Sequence, residues 1–157
     1  MIKRPSWAAA VGTIGIIWGC LGLLGAILTM FMPVFMPKLL MEAQRSLTAG
    51  QGTQEAGDYY KWMINLWSMP SLRNSCRLLG AIGIFISGFL VFASVSLLQM
   101  KRSAVKLIYA ALCIEIIVNI LLLPHGLILK SINILSGVVI YVILLLVVVT
   151  GDKEAFK

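Results

Sequence analysis

Apolar residues fall into four runs along the chain, and polar residues separate them. Each run has the length of about 20 predominantly apolar residues that a helix needs to cross a bilayer. The predicted spans cover about residues 8–32, 78–98, 104–123 and 132–150. Because lipid offers no hydrogen-bond partners, each span must be helical, and short connections make the last three antiparallel neighbours. The pattern predicts an all-α integral membrane four-helix bundle.

The longest polar stretch, residues 33–77, is predicted to be a loop on the outer side of the membrane. Pro33 and Pro37 are expected to end the first span, and Gly151 the last. Within the loop, "PKLLMEAQRSLTAGQG" and "DYYKWMINLWSMP" place apolar and polar residues on opposite helical faces. Both segments are therefore predicted to form short amphipathic helices at the membrane interface.

The second of these segments is rich in aromatic residues, and Asp58 is its expected N-cap. The candidate interfacial or partner-docking residues are Tyr59, Trp62, Met63, Leu66 and Trp67. Aromatic side chains suit both the headgroup level of a bilayer and the core of a protein interface. An interfacial belt and a partner-docking platform therefore both stay open as interpretations.

Composition excludes a soluble domain. The chain has 60% hydrophobic and 12% charged residues, with a mean hydropathy of +0.98. Its 157 residues suffice for one compact bundle, so we expect a single membrane domain over residues 1–157. The first apolar run exceeds the apolar region of a signal peptide, about 7–15 residues, and "TMFMPVFMP" lacks a small-residue cleavage site. We expect this first helix to be retained.

The distribution of basic residues predicts the orientation. The formal net charge is +7. One side of the predicted topology carries seven basic residues in three short segments: Lys3, Arg4, Lys101, Arg102, Lys106, Lys153 and Lys157. The other six are spread over longer segments, so both termini are expected in the cytoplasm, and the short loops favour a bacterial inner membrane. Because anionic headgroups attract such residues, the charge needs no nucleic-acid partner.

The first span carries small residues at alternating spacings of four and three. This small-residue stripe comprises Ala8, Gly12, Gly15, Gly19, Gly22 and Ala26. Such a heptad stripe occupies one helix face and lets another backbone approach closely, whereas Gly25 lies off it. Gly80, Gly83 and Ser87 repeat the spacing on the second span, which makes that span the natural partner. Packing against another subunit and binding of a lipid or cofactor remain alternatives.

Glu115 is a carboxylate inside a predicted span. A rise of 1.5 Å per residue puts Trp18 and Tyr141 at its depth, and Asn119 one turn outward, level with Ser136. These matched depths predict an intramembrane polar cluster in which the Tyr hydroxyl or Trp N–H donates to the carboxyl. One hypothesis is a proton or cation site. The alternative is a neutral or hydrogen-bonded carboxyl that fixes the bundle or meets a basic residue of a partner.

Familiar catalytic patterns do not occur in the sequence. Cys20, Cys76 and Cys113 form no Cys-x-x-Cys pair and are expected to be small packing residues, with an intermolecular disulfide at Cys76 as an alternative. His125 is the single histidine, which excludes a bis-histidine haem site and a multi-histidine metal site within one chain. A haem or metal ligand shared with a neighbouring subunit stays open. We expect no enzyme activity, no cofactor and no metal.

The stretches "KRPSW" and "GAIGIFISGFLVFASVSLLQMKRSAVKLIYAAL" resemble those of a loose group of small bacterial four-helix membrane proteins. This resemblance implies no activity. The expected function is a non-catalytic accessory subunit of a larger membrane protein complex, docking through the small-residue stripe and the aromatic loop helices. The alternative is a small oligomeric transporter or proton- or cation-conducting protein that uses Glu115.

Overall fold

The computed structural model describes the backbone of residues 5–49, 54–122, 128–151 and 156, and the side chains of residues 5–46, 55–120, 138–151 and 156. The described helices are α1 (Ser6–Ala49), α2 (Gln54–Ser68), α3 (Pro70–Leu98), α4 (Ala104–Leu122) and α5 (Ile128–Thr150). Over the described ranges the chain contains no strand. The prediction of an all-helical protein is confirmed.

The expectation that proline ends the first helix is wrong. Helix α1 continues through Pro33 and Pro37 for 44 residues, which corresponds to about 66 Å at 1.5 Å per residue. A proline inside a helix removes one backbone hydrogen bond and crowds the preceding turn, at about 3 kcal/mol. Pro33 is fully buried, and its packing offsets part of that cost. The first amphipathic segment of the predicted loop is therefore the end of α1 and not a separate helix.

Helix α3 also begins earlier than expected, at Pro70 and not near Leu78. Proline suits the first helical position, because the N–H that it lacks would have no partner in the first turn. Between α1 and α3 in the sequence is α2, which begins at Gln54, four residues before the expected N-cap Asp58. The predicted loop over residues 33–77 is therefore largely helical.

The chain divides into two compact units, Met1–Gly22 with Phe85–Lys157 and Leu23–Ile84. In the first unit, four helices contribute to a common apolar core. Its buried members include Val11 of α1, Leu90 of α3, Ile108 of α4 and Leu144 of α5. Helices α4 and α5 pack against each other. Close to the end of the chain, Phe156 is buried with its ring centroid 5.7 Å from that of Trp7.

The turn between α3 and α4 is tight and has an unusual residue at its centre. The N–H of Lys101 donates to the carbonyl of Ser96 at 3.2 Å, and the N–H of Met100 donates to that of Leu97 at 3.1 Å. This pair of bonds is the Schellman arrangement, which requires a left-handed residue and usually employs glycine. Here Met100 holds that position with a φ of 56°. Helix α3 therefore ends at a residue in the left-handed conformation, which methionine does not favour.

The second unit contains the second half of α1, the start of α3 and α2. Inside it, Ala26 of α1 faces Gly80 and Gly83 of α3.

Two helices are long and apolar enough to cross a membrane, α1 over Ser6–Ser46 and α3 over Pro70–Leu98, and the described part of α5, Val138–Thr150, is a shorter apolar helix. These lengths and compositions weakly suggest association with a membrane.

Candidate functional site

The glycines of the small-residue stripe lie against α3 in the first unit. A methyl group added at Gly19 would lie 2.6 Å from Val91 Cγ2 and 3.2 Å from the carbonyl oxygen of Ser87. At Gly12 it would lie 2.7 Å from the side chain of Leu98. These distances are shorter than ordinary van der Waals contact, so the helices can approach this closely only where a side chain is absent.

Two serine hydroxyls of α3 sit directly over two other glycines of the stripe. A methyl group at Gly15 would overlap the hydroxyl of Ser94, and one at Gly22 would lie 2.5 Å from that of Ser87. Ser94 is fully buried, and its hydroxyl has no hydrogen-bond partner among the described residues. The sequence spacing had suggested α3 as the partner of the stripe, and the structure puts α3 there.

In the second unit the roles of the helices are reversed, because the glycines belong to α3. A methyl group at Gly80 would lie 2.8 Å from the carbonyl oxygen of Ala26 and 2.9 Å from the nitrogen of Met30. At Gly83 it would lie 2.9 Å from the Ala26 Cβ. Gly25, which lies off the stripe, has nothing within 4 Å of the position that such a methyl group would occupy. Both sets of small residues thus serve contact between α1 and α3.

Four of the five residues of the predicted polar cluster come together in the first unit. The carboxyl of Glu115 on α4 hydrogen-bonds with the hydroxyl of Tyr141 on α5, which in turn hydrogen-bonds with Trp18 on α1. Indole N–H is only a donor, so Trp18 donates to the Tyr141 hydroxyl and that hydroxyl donates to the carboxyl. Asn119 completes the cluster on α4. Ser136, the fifth residue, lies outside the described side chains.

The geometry of Glu115 leaves its carboxyl incompletely satisfied. The side-chain amide of Asn119 donates to the Glu115 backbone carbonyl at 2.7 Å and only weakly to Oε2, at 3.4 Å. Oε1 is buried without a hydrogen-bond partner among the described residues. The side chain as a whole is 6% exposed, like that of Tyr141. No basic side chain in the described part of the chain forms an ion pair with this carboxyl.

The residues predicted on one face of α2 differ in exposure. Tyr59 and Trp62 are each 57% exposed, and their ring centroids are 6.2 Å apart. Met63, Leu66 and Trp67 are half-buried. We call Tyr59 and Trp62 the exposed aromatic pair. The sequence periodicity does not predict this difference, because the residues lie on neighbouring positions of the same helical stripe.

The polar residues of α2 form a separate, solvated surface. Lys61 and Asp58 make an exposed ion pair with an N–O distance of 3.2 Å. On the buried side, the indole nitrogen of Trp67 has no hydrogen-bond partner among the described residues. The exposed aromatic pair therefore lies on the apolar face of an amphipathic helix, a face that is only partly covered, and the polar face carries an ion pair.

Cysteines and metal-ligating residues form no cluster in the described chain. Cys20 and Cys113 are exposed on their helices, contrary to the expectation that they serve packing, and Cys76 is half-buried; all three are free thiols. No three His, Cys, Asp or Glu side chains among the described residues are placed to hold a metal ion.

The comparisons with known proteins found no matching family model, curated protein or solved structure.

Proposed function

We propose that the protein is a multi-pass integral membrane protein, built as a four-helix bundle, that serves as a non-catalytic accessory subunit of a larger membrane complex. In this proposal both termini lie in the cytoplasm and the membrane is a bacterial inner membrane. The partners are the lipid bilayer and other membrane subunits. A homo-oligomer is the alternative assembly.

Insertion into a bilayer is supported by the outer surface of α1. Ile17, Leu21, Leu24 and Leu28 recur every three or four residues, and each is more than half exposed, up to 68% at Leu28. A continuous apolar strip of this kind would be unfavourable in water, but it matches hydrocarbon chains. Helix α1 therefore has one face of small residues for packing and another of large residues for lipid.

The orientation is supported by the turn between α3 and α4. Lys101, Arg102 and Lys106 are all exposed there. Basic residues in short connections are retained on the cytoplasmic side during insertion, where they also attract anionic headgroups.

The role as a subunit depends on one observation, the exposed aromatic pair of α2. Aromatic residues are enriched at the centres of protein interfaces, because they bury much area with little loss of conformational entropy. The small-residue stripe is in contact with α3, so a partner would dock on α2 more readily than on the glycines of α1. In this proposal Tyr59 and Trp62 are the anchors for a neighbouring membrane subunit.

The test is the subunit content of the tagged protein extracted from its own membranes in a mild detergent. We expect other membrane proteins in a fixed ratio, and we expect the double variant Tyr59→Ala/Trp62→Ala to lose them. Phe92→Ala is the matched control, since Phe92 is an equally exposed aromatic residue, 55%, on α3. Purification of the wild-type chain alone, as a monomer or homo-oligomer, would overturn the proposal.

A further inference from the structure

One carboxyl oxygen inside the first unit is buried without a partner in the described chain. It is Oε1 of Glu115, on a side chain that is 6% exposed. The other oxygen, Oε2, receives a weak hydrogen bond from Asn119, at 3.4 Å, and the hydroxyl of Tyr141 also hydrogen-bonds with this carboxyl. A buried ionised carboxylate needs either a nearby cation or several strong donors, because it has lost its hydration shell.

Among the described residues, the groups that hydrogen-bond with this carboxyl are neutral. From α5 it meets the hydroxyl of Tyr141. From α1, Trp18 acts through that hydroxyl. From α4, Asn119 contributes an uncharged amide. Neutral groups on three described helices thus orient the carboxyl of Glu115, and none of these groups carries a positive charge.

Among the described residues, apolar core positions lie one turn from Glu115 on α4 and one turn from Tyr141 on α5. The nearest core positions along α4 are Ala111 and Leu112, both almost fully buried, and Leu144 follows Tyr141 by one turn on α5. A neutral carboxylic acid is tolerated in such surroundings far better than a lone charge, since its desolvation costs much less. The site therefore favours a carboxyl that carries a proton.

We propose that Glu115 is a proton-binding site, with Oε1 as the atom that takes the proton and Tyr141 as a positioning residue that holds Oε2. Binding transfers one proton from water to the carboxylate and forms one O–H bond, and release reverses that step. The Tyr141 hydroxyl keeps its own proton throughout, because it already donates to the carboxyl and accepts from Trp18. This inference goes beyond the subunit role and does not depend on it.

The experiment is infrared difference spectroscopy of the full chain, reconstituted at neutral pH into vesicles of phosphatidylcholine and phosphatidylglycerol. We expect the wild-type spectrum minus that of Glu115→Gln to contain the carbonyl stretch of a carboxylic acid, which shifts when H₂O is replaced by D₂O. Glu42→Gln is the control, because Glu42 is exposed and its difference spectrum should contain carboxylate bands only. A pair of carboxylate bands at Glu115 would overturn the inference.

Tyr141→Phe provides a second test that keeps the glutamate, should Glu115→Gln fail to fold. Loss of the hydrogen bond from Tyr141 should move the carbonyl stretch of the acid to higher frequency, whereas a carboxyl held only by packing would not shift. Absence of an acid band in both the wild type and Tyr141→Phe would overturn the inference. Subunit content is read in a different assay, so failure of this inference and failure of the proposed function are distinguishable.

Discussion

Substitution of Gly80 by alanine should destabilise the protein, although alanine is the better helix former. The added methyl group would lie 2.8 Å from the Ala26 carbonyl oxygen and 2.9 Å from the Met30 nitrogen. Ordinary contact begins near 3.4 Å, and both neighbours are backbone atoms that cannot rotate away. Helices α1 and α3 would have to separate locally by roughly half an ångström, at about 1–3 kcal/mol for an overpacked contact.

The matched substitutions are Gly25→Ala on α1 and Gly88→Ala on α3. Neither added methyl group would have an atom within 4 Å, so each variant should gain up to about 1 kcal/mol from helix propensity. After that same gain is subtracted at Gly80, the expected net loss there is about 0–2 kcal/mol. The gap between Gly80→Ala and either control is then about 1–3 kcal/mol, or roughly 5- to 150-fold in the equilibrium between folded and unfolded protein.

The assay is reversible unfolding of the detergent-solubilised chain by increasing fractions of sodium dodecyl sulfate, followed by circular dichroism. Gly80→Ala should unfold at a lower fraction of the denaturing detergent than the wild type, and the two controls at the same or a higher fraction. Equal shifts for all three variants would refute the close approach of α1 and α3 at Gly80. Helix propensity would then be the only effect of these glycine-to-alanine substitutions on stability.

The same unfolding assay serves two further predictions. Met100→Gly should stabilise the chain by about 1 kcal/mol, because glycine adopts the left-handed backbone conformation at φ 56° without strain. Met100→Val should destabilise the chain. The reverse order of stability would contradict the Schellman turn. Phe156→Ala should cost about 3 kcal/mol, since the buried ring packs against Trp7. An unchanged unfolding midpoint for Phe156→Ala would show that the end of the chain does not dock on α1.

The sequence predicted some helix ends and missed others, chiefly the end of α1 and the start of α3. Helices α3, α4 and α5 end or begin at Leu98, Ala104 and Thr150, as the sequence predicts. Strong signals mark those positions, namely a short basic turn and a glycine. At the end of α1 the prediction relied on proline as a helix breaker, whereas α1 continues through Pro33, which is fully buried.

The polar cluster followed from counting residues, because the rise of a helix is constant and a short turn fixes the relative depth of its neighbours. That arithmetic is enough to bring Glu115, Tyr141 and Trp18 to one level. It does not reveal which oxygen of the carboxyl is left without a partner. On α2, in contrast, the residues that face inward depend on which helix covers them, and the sequence of α2 alone contains no such information.

The length of α1 has a mechanical consequence. The hydrocarbon core of a bilayer is about 30 Å thick and membrane helices tilt by about 20° on average, so tilting cannot hide a helix of about 66 Å. In a membrane, part of α1 would therefore extend beyond the hydrocarbon. Pro33 and Pro37 are the positions where a backbone N–H is missing from its hydrogen-bond ladder, so they are where we expect this helix to bend most readily.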